Sequence, residues 1–300
     1  MKKIWKYRFY YYLALPGLIY FIIFHYVPMG GALIAFKDIS PFDGLRGFFD
    51  APWVGFKHFE RFTSSVYFLD VIENTLIISG LKILFGFPAP IILALLLNEV
   101  LRMSLKRIMQ TISYLPHFIS WVVTAGMITA LLATSGGLLT ETINDFTGSN
   151  INFLGNKDYF VGILVTSHVW KTIGWSSIIY LAAMSSIDPA LYESARIDGA
   201  NRLQMAWHIT LPSIMFVIVI MFLLEIGNLL EAGFEQILLL YSPSVYKVAD
   251  IIDTFVYREG LLALKYSFAA AVGLFKAVIA FVLLYTCLLY TSPSPRDSSQ

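Results

Sequence analysis

One polar stretch between two long apolar segments decides how this chain is organised: Asp188-Pro189-Ala190-Leu191-Tyr192-Glu193-Ser194-Ala195-Arg196-Ile197-Asp198-Gly199-Ala200-Asn201-Arg202-Leu203-Gln204-Met205-Ala206-Trp207-His208-Ile209-Thr210-Leu211-Pro212. Asp188 followed by Pro189 is typical of a helix N-cap with proline at the first helical position. We expect this helix to run to about Ile197 and to end in a turn at Gly199, where permissive φ is needed.

A second short amphipathic helix should follow that turn and present Leu203, Ala206 and Trp207 on one side. Pro212 would then start the next apolar helix, where its missing N–H costs nothing. The stretch predicts a compact helix–turn–helix, and a plain loop is the alternative. Small residues would let another protein pack closely against it: Ser194, Ala195, Gly199 and Ala200.

The composition indicates that lipid surrounds most of the chain. Of its 300 residues, 57% are hydrophobic and 14% are charged, whereas soluble domains carry about 25% charged residues. A net charge of +1 argues against binding to nucleic acid. The single cysteine, Cys287, excludes a disulfide framework and a cysteine-based metal site.

Six apolar stretches reach the roughly 20 residues that a transmembrane helix needs. We therefore predict an all-α membrane protein with both termini on one side. Lys and Arg are about twice as dense in the segments that this topology places in the cytoplasm, so both termini should be cytoplasmic. The predicted spans lie near 12–36, 75–97, 111–133, 159–183, 213–230 and 267–290.

Two predicted outer segments should carry structure of their own. Residues 37–74 are rich in Phe and Trp and are expected to fold against the membrane surface. Residues 231–266 mix apolar triplets with polar residues, which indicates partly helical, re-entrant or interfacial structure instead of a further span.

Polar residues inside predicted spans are functional candidates, because burying them in lipid is expensive. In the fourth span, aromatic rings stack on sugars and His or Lys donates to hydroxyls, with helix packing as the alternative role. The polar residues at the outer end of the fifth span would line the path or contact a protein outside the membrane. The candidates for a substrate path are His168, Trp170, Lys171, Trp175, Glu225 and Asn228, with Glu231 nearby. For Lys82 and Lys276 we favour snorkelling or pairing with a partner subunit.

The polar stretch also resembles a known motif. Glu193, Ala195, Gly199, Ile209 and Leu211-Pro212 stand at the spacing of the EAA loop of ABC-importer permeases, with Ser194 replacing the usual first alanine. The resemblance implies the type I ABC-importer permease fold and a cytoplasmic coupling-helix hairpin that docks on an ATPase subunit. The docking residues it implies are Tyr192, Glu193, Ser194, Ala195, Asp198, Gly199, Ala200, Ile209, Leu211 and Pro212.

Further segments resemble the multiple-sugar and lipoprotein-associated oligosaccharide branch of these permeases. They are Phe24–Met29, Ala51–Gly55, Gln110–Pro116 and Ala232–Gln236. This resemblance implies a multi-pass protein of the bacterial cytoplasmic membrane that imports sugars. The implied partners are a second homologous permease, two ATPase subunits, either dedicated or shared, and an extracellular solute-binding lipoprotein.

The chain itself has no nucleotide-binding motif, since no G-x-x-x-x-G-K-[ST] loop occurs in it. It is therefore expected to be a transport subunit that binds no cofactor, with ATP and Mg²⁺ bound by the ATPase subunits. An ion-coupled secondary transporter is the alternative, but it would need inverted repeats with broken helices and a coupling acid within the membrane. A membrane-embedded enzyme would need a catalytic polar cluster, and none stands out in the sequence.

The final residues look foreign to the permease. The last span runs into Ser292-Pro293-Ser294-Pro295 where Lys or Arg anchors are usual. This tail resembles translated sequencing-adapter sequence. We expect a permease domain over residues 1–286 and a non-native tail over 287–300, with Cys287 itself not native.

Overall fold

The computed structural model describes residues 7–42 and 44–291. Within these residues the chain is helical, and its only strand-like pairing is an isolated antiparallel bridge between Lys37 and Trp53. The helices, numbered in chain order, are α1 Arg8–Phe36, α2 Gly44–Asp50, α3 Lys57–Thr63, α4 Phe68–Asn98, α5 Met103–Phe118, α6 Trp121–Leu132, α7 Leu138–Thr147, α8 Lys157–Met184, α9 Pro189–Ile197, α10 Arg202–Ser213, α11 Met215–Gly227, α12 Phe234–Leu240, α13 Tyr246–Ala249, α14 Ile252–Val256 and α15 Tyr266–Thr291.

Three described helices, α1, α4 and α15, are long and apolar enough to cross a membrane, and up to five spans result if each of two bent pairs counts as one. The predicted span 159–183 corresponds to α8, which has 28 residues and carries His168 and Lys171 at its middle.

The predicted span 111–133 is not one straight helix. α5 and α6 meet at an angle of 99°. The bend follows from local chemistry: Ile119 and Ser120 are extended, and the Ser120 hydroxyl caps α6 by accepting a hydrogen bond from the Val123 N–H. An extended pair followed by an N-cap ends one helix and starts another.

The predicted span 213–230 also differs from the structure. Pro212 does not start the next helix; it lies near the end of α10, after a π-helical turn at Ala206–Thr210. The chain bends by 66° before α11. The π turn accommodates the proline, which offers no N–H to the preceding turn. With 13 residues, α11 is only about 20 Å long, which is shorter than the roughly 30 Å hydrocarbon core of a bilayer.

The chain divides into two compact units. The first lies within Met1–Phe68 and Phe255–Val278, and the second lies within Leu69–Thr254 and Ile279–Gln300. In the second unit, α8 packs against the second half of α4 and against α5. One apolar cluster of this unit joins α4, α6, α8 and the chain from α12 to α13, and it includes Ile78, Phe160, Leu164, Ile237 and Val245.

The predicted outer segment 231–266 is confirmed as partly helical, in the form of α12, α13 and α14 with a π-helical turn at Tyr257–Leu262. In the first unit, the Lys37 ammonium donates hydrogen bonds to the carbonyls of Phe48 and Phe49. Lys57 donates to Asp38, and this bond together with nearby positive charges lowers the pKa of the Asp38 carboxyl.

The predicted tail begins inside a helix. The backbone of α15 continues to Thr291, and residues 292–300 lie outside the described part of the chain. The boundary that we place at residue 286 therefore remains a prediction.

Candidate functional site

The stretch 188–212 folds into a hairpin of two helices, and the first of them, α9, is capped by hydrogen bonds at both ends. The Asp188 carboxylate accepts a hydrogen bond from the Ala190 N–H at 2.9 Å, and Pro189 occupies the first helical position of α9. At the other end, Gly199 has φ +79°, and the N–H groups of Gly199 and Ala200 bond back to the carbonyls of Arg196 and Ala195. This is a Schellman motif, so the predicted cap and the predicted glycine turn are both confirmed.

The second half of the hairpin starts immediately after this turn. Asn201 and Gln204 form a capping box in which each side chain accepts a hydrogen bond from the other residue's N–H, at 2.9 and 2.8 Å. The hydroxyls of Tyr192 and Thr210 lie 2.9 Å apart and join α9 to α10. Because its backbone is satisfied within so few residues, the hairpin holds its shape through local bonds.

The hairpin exposes apolar and small residues to its surroundings. Ile197 is 87% exposed, Leu203 is 76% exposed and Trp207 is 67% exposed. A shallow groove runs beside them, with Ala195, Asp198, Gly199, Ala200, Gln204, Met205, His208 and Ile209 along it. Large apolar side chains grouped on a polar hairpin are typical of a surface that contacts another protein.

A second feature lies further along the helices that lead into and out of the hairpin. It is a polar pocket of about 150 Å³ within the second unit. Three of the predicted substrate-path residues, His168, Glu225 and Asn228, line it together. The other lining residues are Ser79, Lys82, Ile83, Gly86, Phe87, Thr172, Ser176 and Glu231.

Each helix that lines the pocket contributes polar side chains, next to the apolar side chains of Ile83 and Phe87. Lys82 comes from α4, His168, Thr172 and Ser176 come from α8, and Glu225 comes from α11. The Ser79 hydroxyl is buried and has no hydrogen-bond partner among the described residues. Such a set of donors and acceptors suits a ligand with many hydroxyl groups.

Lys82 does not snorkel: it is buried and its ammonium bonds to its own chain, so the predicted snorkelling is wrong. Its side chain is only 6% exposed. Its ammonium donates to the carbonyl of Ala232 at 2.7 Å and to Oε1 of Gln236 at 2.5 Å. Ala232 and Gln236 follow α11 and lie on a segment that folds back into the core, which supplies the partners that lipid could not.

The other three predicted substrate-path residues lie elsewhere. The Lys171 ammonium donates to the carbonyls of Pro116, His117 and Ile119 at the end of α5. It therefore caps a helix C-terminus, where a cation is favourable. Trp175 stacks on His117, with ring centroids 4.6 Å apart. These contacts fit the helix-packing alternative.

Trp170 lies on a different side of α8 from His168. Two residues along a helix correspond to about 200° of rotation. The Trp170 ring borders an apolar groove of about 440 Å³ together with residues of α6, including Met127, Ile128 and Leu131.

Sequence reasoning gave no site role to four residues that organise the pocket, although two of them lie in the segment Ala232–Gln236 that carries the family resemblance. The four are Ser79, Ser167, Gly233 and Gln236. Gln236 precedes the apolar run Ile237–Leu240, and it is 1% exposed. A single amide side chain next to an apolar run, such as Gln236, indicates that a buried polar group bonds to it. A lysine in a membrane helix with no carboxylate nearby in sequence, such as Lys82, also indicates that a buried partner exists. Neither signal identifies the partner.

Comparison with known proteins places these features in context. The family model described as binding-protein-dependent transport system inner membrane component matches residues 86–290, which include the hairpin and most of the pocket. Two proteins of Bacillus subtilis (strain 168) are similar over nearly all of the chain. The polygalacturonan/rhamnogalacturonan transport system permease protein YteP is 47% identical over 94% of this chain and 87% of its own length. Protein LplB is 44% identical over 92% of this chain and 86% of its own length.

A solved structure agrees with the fold over almost its full length. It is a bacterial alginate ABC transporter in complex with an alginate pentasaccharide-bound periplasmic protein. The matched chain has a TM-score of 0.89 and 42% identity, and the match covers 97% of this chain and 96% of that one.

Proposed function

This chain belongs to the family of binding-protein-dependent transport system inner membrane components, and we propose that it forms half of the translocation pathway of an ATP-driven oligosaccharide importer. The names of the relatives support this substrate class, since one carries polygalacturonan and rhamnogalacturonan and another carries alginate. The chain pairs with a second homologous permease and receives sugar from an extracellular solute-binding lipoprotein. Two ATPase subunits bind ATP and Mg²⁺, and this chain binds no cofactor.

In this proposal the chain crosses the bacterial cytoplasmic membrane six times, with both termini in the cytoplasm. α1, α4, α8 and α15 supply four spans, and the two bent pairs supply the others. The excess of Lys and Arg in the segments assigned to the cytoplasm supports this orientation.

The hairpin is the observation that carries the proposal. Its first helix follows α8 after four residues, and its second helix leads into α11 across the bend at Ile214. α8 and α11 both supply walls of the polar pocket. Movement of the hairpin by the ATPase subunits would therefore move two walls of the pocket. ATP binding then shifts the population between inward-facing and outward-facing states, because the hairpin contacts differ between the two states.

The coupling role can be tested with two matched substitutions in the complete importer, reconstituted in proteoliposomes. Ile197→Asp places a charge on the exposed hairpin surface, and Phe146→Asp places the same charge on α7, where the side chain is equally exposed at 88%. We expect Ile197→Asp to reduce ATP-driven uptake at least tenfold and to weaken co-purification of the ATPase subunits. We expect Phe146→Asp to leave both unchanged. Normal uptake by the Ile197 variant, with intact membrane insertion, would contradict the coupling role.

The role of the pocket is tested in the same vesicles by measuring uptake of oligogalacturonides and alginate oligosaccharides. Glu225→Gln and Asn228→Leu remove hydrogen-bonding capacity from the pocket wall, and we expect a higher sugar concentration for half-maximal uptake. Trp175→Phe, outside the pocket, is the control. Equal effects in all three variants would argue against a substrate path through this pocket.

A further inference from the structure

We propose that Lys82 is a positioning residue for the polar pocket: it holds the Ala232 carbonyl and thereby fixes Asn228 and Glu231 in the pocket wall. The inference rests on the proposed function in one respect, since it takes the pocket as part of the sugar path. We call the hydrogen bond from Lys82 to the Ala232 carbonyl the clamp, and its effect on the structure can be tested without sugar.

The segment that Lys82 holds has no helical frame of its own. α11 ends at Gly227, and α12 begins at Phe234. Residues 228–230 form a turn, closed by a 2.8 Å hydrogen bond from the Glu231 N–H to the Asn228 carbonyl. Asn228 and Glu231, which line the pocket, thus lie on a short connection between two helices.

Lys82 closes this connection at its far end. The ammonium donates to the carbonyl of Ala232, the residue directly after Glu231. Gly233 then turns the chain with φ +93°, and a Cβ atom at this position would lie 2.7 Å from the Lys82 nitrogen. Glycine is therefore required twice here, for its backbone angle and for the close approach of the ammonium.

Gln236 joins the same clamp to α8. Its side-chain oxygen accepts the second hydrogen bond of Lys82, and its amide nitrogen donates to the Leu164 carbonyl and to the Ser167 hydroxyl, both at 2.8 Å. The side chains of Lys82, Gln236 and Ser167 form one buried hydrogen-bond network. This network favours a single arrangement, because displacing any of the three leaves an unpaired polar group away from water. These hydrogen bonds fix the positions of α4, α8 and the connection 228–233 relative to one another.

The arrangement leaves capacity for a ligand. Among the described residues, the ammonium has these two hydrogen-bond acceptors, so one of its three N–H groups has no acceptor there, and Lys82 itself lines the pocket. Lys82 both borders the pocket and fixes the neighbouring wall, unlike Lys171, whose three acceptors are all at the α5 terminus.

The experiment uses the complete importer and the substitution Lys82→Met, which keeps the length of the side chain but removes its donors. Hydrogen–deuterium exchange is measured without sugar. We expect at least tenfold faster exchange in peptides covering 228–240 and unchanged exchange in the hairpin at 189–213. Lys157→Met removes an exposed lysine at the start of α8 and should leave residues 228–240 as in the wild type.

A second variant keeps the claim testable should Lys82→Met fail to assemble. Gln236→Glu retains an acceptor for Lys82 but removes the amide donors to Leu164 and Ser167. We expect it to loosen 234–240 while the segment 228–233 stays protected, because the bond from Lys82 to Ala232 remains. Exchange at 228–233 that rises as much in Gln236→Glu as in Lys82→Met would overturn the proposal.

Transport provides the functional readout. With oligogalacturonides as the probe, Lys82→Met should raise the concentration for half-maximal uptake about tenfold and leave maximal ATP-driven uptake within twofold. Unchanged exchange at 228–240, or loosening of the hairpin to the same extent, would show that Lys82 does not position the pocket. Absence of ATP-driven uptake in the wild-type importer would instead overturn the proposed function and leave the exchange result standing.

Discussion

The Lys82 ammonium lies 2.7 Å from the point where a Cβ atom would stand at Gly233, so these two residues leave no room between them for a methyl group. They are far apart in sequence and meet because the connection after α11 folds back against α4. At this contact the buried Lys82 ammonium, which lines the polar pocket, lies against the left-handed backbone turn at Gly233.

Replacing Gly233 by alanine should be costly. The backbone angle of φ +93° is strained for an L-residue, at roughly 1–3 kcal/mol, and the new methyl group must displace the ammonium. We expect a lower thermal unfolding midpoint in detergent and a weaker apparent affinity for sugar. Gly80→Ala in α4 is the control, because nothing lies within 4 Å of its Cβ position. Equal stability of the two variants would contradict this account of Gly233.

Gly174 should be equally intolerant for a different reason. A Cβ atom there would clash with the backbone carbonyl of Ser113 and would lie 2.9 Å from the Tyr114 nitrogen, so α8 and α5 touch through their backbones. We expect Gly174→Ala to force these helices apart and to lower the yield of folded protein. Gly162→Ala in the same helix has open space around it and should be neutral or slightly stabilising. Comparable yields of both variants would rule out this close approach.

Removing the Lys171 ammonium should loosen the bend between α5 and α6. Lys171→Met leaves the carbonyls of His117 and Ile119 without this donor, while the Pro116 carbonyl still accepts from the Ile119 N–H, and an unsatisfied buried group costs about 1–3 kcal/mol. The expected result is a lower unfolding midpoint, with faster hydrogen exchange at 116–124. Lys157→Met, at the exposed start of the same helix, should change neither measurement. A stable Lys171 variant would mean that the cap contributes little.

The capping box of the hairpin should behave as a coupled pair. Asn201→Ala and Gln204→Ala each remove one of two reciprocal hydrogen bonds, and loss of an N-cap typically costs about 1 kcal/mol. We expect both variants to speed hydrogen exchange at 202–205 and to reduce coupling of ATP hydrolysis to uptake. A double-mutant cycle checks the pairing: strictly additive effects of the two substitutions would show that the bonds act independently.

The hairpin was the most predictable part of this protein, because its determinants are close together in sequence. Asp188 and Pro189 start α9, and Gly199 ends it, through hydrogen bonds that span at most five residues. The membrane character was equally accessible, since apolar length and low charge are properties of composition. The bends were less predictable: Pro212 lies inside α10, and the straight span expected at 111–133 breaks at Ile119 and Ser120.

For the polar residues of the predicted spans, too, some properties followed from the sequence and others only from the tertiary structure. The sequence alone marked His168, Lys171 and Glu225 as functional candidates and Lys82 as a snorkelling or partner-bound lysine, because burying a charged or polar group in lipid is costly. Only the tertiary structure decided which reason applied. Lys171 and Lys82 are both buried lysines, yet one caps the α5 terminus and the other holds the pocket wall. Their partners lie 55 and 150 residues away in the chain. Local patterns cannot encode such pairings, which arise when packed helices bring an ammonium and unpaired carbonyls into the same space away from water.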